Sequence, residues 1–270
     1  MSKKFELVLG AGGVKGYLHI GLLRAVAELG LPISKITGAS VGAIIATLYV
    51  NGWDHERILK LFLDAHGRSR NPLLLASAVV LPDAQSFSIG QSFLSLEGPW
   101  KETCAKLGLN PSHRLRIVTC DAETKKAVLF EGTDYPLGTA LSASGALPFV
   151  FLPVKYDGKM LIDGAAYHRN PDEFCTDTAI ISALGFAKTW PRELLDPISY
   201  YYHWRELNAP IVEQPTKVNE EKNVLILHEA DDVCGLSFGL SKARCLEMYE
   251  SSYKHSLAVL KAAIASGKLA

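Results

Sequence analysis

The sequence predicts a mostly parallel α/β sheet layered by helices. Short apolar strands alternate with helical stretches along the chain, the pattern of a parallel sheet covered by helices. A glycine cluster joins the first strand to the first helix, and a second strand runs through glycines into a buried helix. The chain closes on a helix with apolar residues at intervals of 3, 4, 4, 3 and 4.

The elements follow in order. Phe5 to Leu9 is a short apolar strand. Tyr17 to Leu29 carries Leu18, Leu22, Ala25, Val26 and Leu29 at helical spacing, and Gly30 and Pro32 stop it. Lys35 to Ala39 is a second strand, and Val41 to Val50 a buried helix closed by Asn51-Gly52. Asp54 caps the next helix, with Ile58, Leu61, Phe62 and Ala65 on one face. Further strands are predicted at Leu115–Cys120, Ala127–Phe130, Thr178–Ala183 and Val224–Leu227. Val154 to Ile162 reads as a hairpin turning at Asp157-Gly158. The final helix is predicted to face the core with Leu246, Tyr249, Tyr253, Leu257, Leu260 and Ile264. No repeat or Gly/Ser linker divides the chain, so residues 1–270 are taken as one domain.

Composition removes several function classes. Apolar residues make up 48% of the 270 and charged residues 21%, enough for a large core and against a disordered or fibrous chain. The 28 Lys and Arg balance 28 Asp and Glu, so no basic excess exists to neutralise phosphates and nucleic acid is excluded as a partner. The same balance gives no electrostatic preference for anionic lipid. Five Cys without a CxxC pair suit a reducing compartment. The segment MSKKFELVLG lacks the apolar stretch of a signal peptide. The longest apolar run without a charge, 72–82, is shorter than the ~20 residues of a spanning helix. The expectation is a soluble cytoplasmic protein, with peripheral membrane contact left open.

Three motifs carry the chemistry. Gly10-Ala-Gly-Gly-Val-Lys-Gly16 opens a helix, where glycines allow close backbone approach and free N–H groups face an anion. It fits a phosphate cradle, an oxyanion hole, or a tight turn with no ligand. The phosphate version is weakened: GxxxxGK[ST] is absent, a strict GxGxxG would need glycine at position 15, and no acidic residue follows the second strand. Gly38-Ala39-Ser40-Val41-Gly42 is a GxSxG where a strand meets a helix, the setting that holds a nucleophilic serine out from a sheet. Its bland alternative is a serine helix cap. Asp163-Gly164-Ala165 ends the hairpin with a carboxylate, which by itself is equally a turn residue. No histidine completes an obvious triad: His168 and His228 are weak candidates, and His19 sits in an apolar helix. Neither HExxH nor paired Cys/His spacing occurs, so no metal site is expected.

Together these stretches resemble the patatin-like phospholipase family, in its short bacterial form. Leu9 to Leu23 resembles the family's glycine-rich oxyanion segment and first helix, and Thr37 to Ala43 its nucleophile elbow. Ala140-Leu-Ser-Ala-Ser-Gly-Ala-Leu-Pro148 and Phe151 to Val154 resemble the approach to its catalytic aspartate. Asp163-Gly164-Ala165 matches the DG[GA] motif, with Asn170-Pro171 beyond. The resemblance implies a Ser–Asp dyad: Ser40 as nucleophile, Asp163 as general base, and N–H groups around Gly12, Gly13 and Val14 as the oxyanion hole. Gly38, Gly42, Gly164 and Ala165 shape the motifs, and Lys15 stands where Arg or Lys is usual. Ala11 departs from the usual glycine, at a cost if its φ must be positive. No cofactor or metal is implied.

The implied activity is hydrolysis of a lipid or fatty-acyl ester, as a phospholipase A, lysophospholipase or esterase. Pro72–Leu81 and Phe87–Leu96 read equally as a cap over an acyl groove or as core helices. Tyr200 to Trp204 suits either domain packing or a membrane interface. Two other classes compete. A nucleotide-binding oxidoreductase lacks its acidic residue and any YxxxK. A catalytically inactive lipid-binding or scaffold protein has no support while Ser40 and Asp163 are both present.

Overall fold

A computed structural model describes residues 4–68, 95–147, 151–185, 221–230, 232, 233, 235 and 239–269. The cap segments at 72–81 and 87–94, Pro148 and the aromatic run at 200–204 lie outside them. The strands are β1 (Phe5–Leu9), β2 (Ile33–Ala39), β3 (Leu115–Asp121), β4 (Ala127–Glu131), β5 (Val154–Tyr156), β6 (Lys159–Asp163), β7 (Ala179–Leu184) and β8 (Val224–His228). The helices are α1 (Gly16–Glu28), α2 (Val41–Val50), α3 (His55–Arg68), α4 (Glu97–Leu107), α5 (Leu137–Ser144) and α6 (Lys242–Ala265).

All eight strands join one sheet in the order β5-β6-β3-β2-β1-β7-β8, with β4 also on β3. The centre is parallel, from β3 through β2, β1 and β7 to β8. The β3–β4, β3–β6 and β5–β6 pairs are antiparallel. This is the mixed α/β fold with a mainly parallel sheet that the alternation predicts. β1 shows why it lies at the centre. All five of its residues are buried, as a strand covered on both faces requires. Leu7 and Leu9 point into the main core, to which all six helices contribute, while Val8 packs with Ala179 and Ile181 on the opposite face.

Local chemistry sets most boundaries. Gly30 takes φ +59° after α1, and Asp54 Oδ1 accepts the Arg57 N–H at 2.8 Å to cap α3. Asp157 and Gly158 have φ of 48° and 72°, the left-handed pair of a tight hairpin. The closing helix corrects an expectation. On α6, Leu246 is 40% exposed, and Tyr253, Leu257 and Ile264 are only partly buried. The fully covered line runs instead through Cys245, Met248, Tyr249, Ser252, Ser256, Leu260 and Ala263. The reason is close packing on α1. A Cβ on Gly21 would stand 2.3 Å from Tyr249 O and 2.9 Å from Ser252 Cβ. At that separation small residues occupy the seam and large ones move to its flanks.

Candidate active site

Two neighbouring parallel strands bring the first two motifs together at their carboxyl ends. β1 runs into the glycine loop, and β2 runs into Ser40 and then α2. Ser40 has φ 54° and ψ −126°, a conformation that side chains rarely adopt. The two motif glycines are there for contact. A Cβ on Gly42 would lie 2.1 Å from Leu9 O, and one on Gly38 2.6 Å from Ala43 N. Neither contact leaves room for a side chain, so the elbow closes tightly against the end of β1.

Asp163 arrives from the antiparallel edge, as the last residue of β6, and is 2% exposed. Its Oδ2 accepts a hydrogen bond from Ser40 Oγ at 2.7 Å. Its Oδ1 accepts the Ala165 N–H at 2.8 Å. Burial pushes the carboxyl up to about 6 from its ordinary 3.8, against the opposing effects of those two donors and of Arg169. Gly164 allows the turn away, since a Cβ there would meet Val118 O at 2.4 Å.

The glycine loop is tied at both flanks. Gly10 N–H donates to Ser182 O, Ala11 N–H to Arg169 O, and Val14 N–H to Gly235 O at 2.8 Å. This corrects the expectation for Val14, whose N–H is already engaged. The N–H groups of Gly12 and Gly13 find no acceptor among the described residues, and both glycines are partly accessible. Gly13 takes φ +55°, and a Cβ on it would stand 2.2 Å from Gly235 O. Ala11 is not among the residues with positive φ, so its Cβ costs nothing. Lys15 is 2% exposed and its Nζ donates to Gly185 O at 2.7 Å, which ties the loop to the end of β7.

The histidines fall elsewhere. His19 Nε2 lies 2.8 Å from Gly10 O and Nδ1 2.7 Å from Ser182 Oγ. His228 Nε2 reaches the same Ser182 hydroxyl at 2.9 Å, and Nδ1 lies 3.2 Å from Ser252 Oγ. His168 Nδ1 pairs with Glu173 at 2.9 Å. Among the described residues, no histidine bonds to Ser40 or Asp163. His168, Asp172 and Glu173 hold ligand-type atoms within 4.8 Å of one another, a grouping that linear spacing did not signal.

One participant carries no role in the sequence-based expectation. Ser144, the last residue of α5, accepts the Ser40 N–H on its Oγ at 2.9 Å. Its only sequence signal is its place in the segment Ala140 to Pro148.

The chain is similar to known proteins in sequence and in fold. The family model described as patatin-like phospholipase matches residues 7–68, which span the glycine loop and the elbow. Over these residues the chain is similar to patatin-like phospholipases. The lysophospholipase nte1 of Neurospora crassa is 32% identical over 165 residues, 60% of this chain and 10% of that protein. An uncharacterized NTE family protein of Mycobacterium bovis is 29% identical over 170 residues, 60% of this chain and 43% of its own length. The chain thus spans less than half of these curated relatives. VipD from Legionella pneumophila shares the fold with a TM-score of 0.55 at 14% identity, covering 96% of this chain and 67% of VipD.

Proposed function

We propose that this patatin-like chain is a serine-dependent lipid acyl hydrolase working through a Ser40–Asp163 dyad. The observation that carries the proposal is the 2.7 Å hydrogen bond from Ser40 Oγ to a carboxylate that is 2% exposed. A carboxylate at its ordinary pKa is a poor base for a hydroxyl. Burial lifts Asp163 to about 6, which brings its basicity toward neutral pH. Ser40 Oγ attacks the ester carbonyl while its proton passes to Asp163 Oδ2. The developing oxyanion is stabilised by the N–H groups of Gly12 and Gly13. Asp163 then returns the proton to the leaving alcohol, and an acyl group remains on Ser40. Water, deprotonated by Asp163, releases the fatty acid and restores the hydroxyl.

The substrate class is a lipid or fatty-acyl ester, and lysophospholipids are the first to test because the Neurospora relative is named for them. No helix among the described residues is long and apolar enough to cross a membrane. A cytoplasmic enzyme meeting lipid at a surface is the cellular setting proposed. The deciding experiment compares wild type with Ser40→Ala on a lipid panel, together with fluorophosphonate labelling. Wild type hydrolyses acyl esters and is labelled on Ser40, whereas the variant does neither at the same fold stability. Hydrolysis by the variant above the no-enzyme rate would remove the nucleophile assignment. EDTA leaves the chemical step unchanged, and loss restored by one metal would overturn the metal-free scheme.

A further inference from the structure

We propose that Ser144 is a positioning residue for the nucleophile, and that the C-terminal turn of α5 sets the Ser40–Asp163 distance. The proposal rests on the dyad reading above and deepens it. Ser144 is fully buried. Its hydroxyl accepts the Ser40 N–H at 2.9 Å and donates to Val118 O at 2.8 Å. Because an N–H only donates and a carbonyl only accepts, the direction of both bonds is set. Two residues further on, Ala146 O accepts the Asp163 N–H at 3.0 Å. One short turn therefore grips the backbone of both dyad residues, which stand 123 positions apart in the chain. Val118 O, the acceptor for Ser144, also abuts Gly164 beside Asp163.

This is not how a buried helical serine ordinarily satisfies itself. Ser142, on the same helix and equally buried, bonds back to Gly138 O at 2.6 Å and to Leu96 O at 3.0 Å. Ser144 instead reaches across to the elbow and to β3. Its bond has two consequences. The φ of 54° at Ser40 is a conformation that persists only when its surroundings over-determine it, and the Ser144 bond is one such constraint. The Ser40 N–H, held by Ser144, is withdrawn from the reacting carbonyl. The oxyanion donors must then come from the glycine loop.

The test compares Ser144→Ala and Ser144→Cys with Ser142→Ala as a structural control. Cysteine keeps the branching with a larger atom, and its sulfur is a weak acceptor. Each variant is checked for folding and then assayed for kcat, KM and the rate of fluorophosphonate labelling at Ser40. Both Ser144 variants should lose about 10- to 100-fold in kcat with KM changed less than about twofold, because a misplaced nucleophile loses rate rather than binding. Labelling should slow in parallel. Ser142→Ala should lose stability and keep kcat. A folded Ser144→Ala or Ser144→Cys with kcat within twofold of wild type overturns the positioning role and leaves the dyad standing. An equal kcat loss in Ser142→Ala also overturns it, since the effect would then follow helix stability. A wild type that is never labelled at Ser40 overturns the dyad and the positioning role together.

Discussion

Asp163 is the residue on which the proposed chemistry turns. Its carboxylate is useful only when ionised, and burial holds its pKa at about 6. Hydrolysis should therefore fall about tenfold per pH unit below about 6 and level off above it. A kcat profile flat down to pH 4 would show that another group takes the Ser40 proton. Asp163→Asn keeps the shape but cannot accept a proton, so its activity should drop by roughly 10²–10⁴-fold. The Ser40→Ala/Asp163→Asn double variant should be little worse than either single, because the two act as a unit. His168→Ala should keep most activity, since His168 bonds to Glu173. A hundredfold loss in that folded variant would restore a triad.

Gly21 shows how an element is constrained by its neighbour. The α1–α6 seam leaves 2.3 Å between Tyr249 O and the Cβ that an alanine at Gly21 would carry. Backbone cannot yield there as a side-chain tip can, so the helices must separate. Gly21→Ala should destabilise by roughly 1–3 kcal/mol, read as a lower urea midpoint at unchanged slope. Unaltered stability would mean that the helices part at no cost. The same seam explains why the spacing of large apolar residues misplaced the buried face of α6. Spacing finds the widest residues, but a close crossing selects small ones, and Ser252 and Ser256 are polar letters that hydropathy places outside. Ser252 Oγ has a partner in Leu18 O at 2.5 Å, which removes the penalty of burying it.

Across the whole molecule, two buried histidines and one buried carboxylate act in opposite directions. Burial pushes His19 down to about 4 from 6.5. Between those values the unfolded chain holds a proton that the folded chain lacks, so stability falls as the pH drops through that window. His228, also driven down by burial, acts in the same direction. Asp163 is raised to about 6 from 3.8, so the folded chain holds the extra proton and stability rises as the pH drops through that window. Asp163→Asn removes only the second effect. The variant should exceed wild type by about 1–3 kcal/mol at pH 7, and the gap should close near pH 4. Paired urea titrations at both pH values measure this. A gap that does not change with pH would mean that the Asp163 charge carries no folding cost.

The sequence by itself determined the strand-helix alternation, the strand-to-helix turn at Ser40 and the turn at Asp157-Gly158. Each rests on neighbours within a few positions, where periodicity, glycine placement and capping act. Only the tertiary structure decided that Ser40 Oγ and Asp163 Oδ2 meet, and that Val14 donates to Gly235 rather than standing free. Ser144 and His19 likewise acquired their partners only on folding. Ser144 lies 104 residues from Ser40, and His19 lies 163 from Ser182. No local rule links such positions. Their hydrogen bonds exist because the parallel sheet brings strand ends together from distant parts of the chain, and burial there leaves each polar group to find a partner inside the fold.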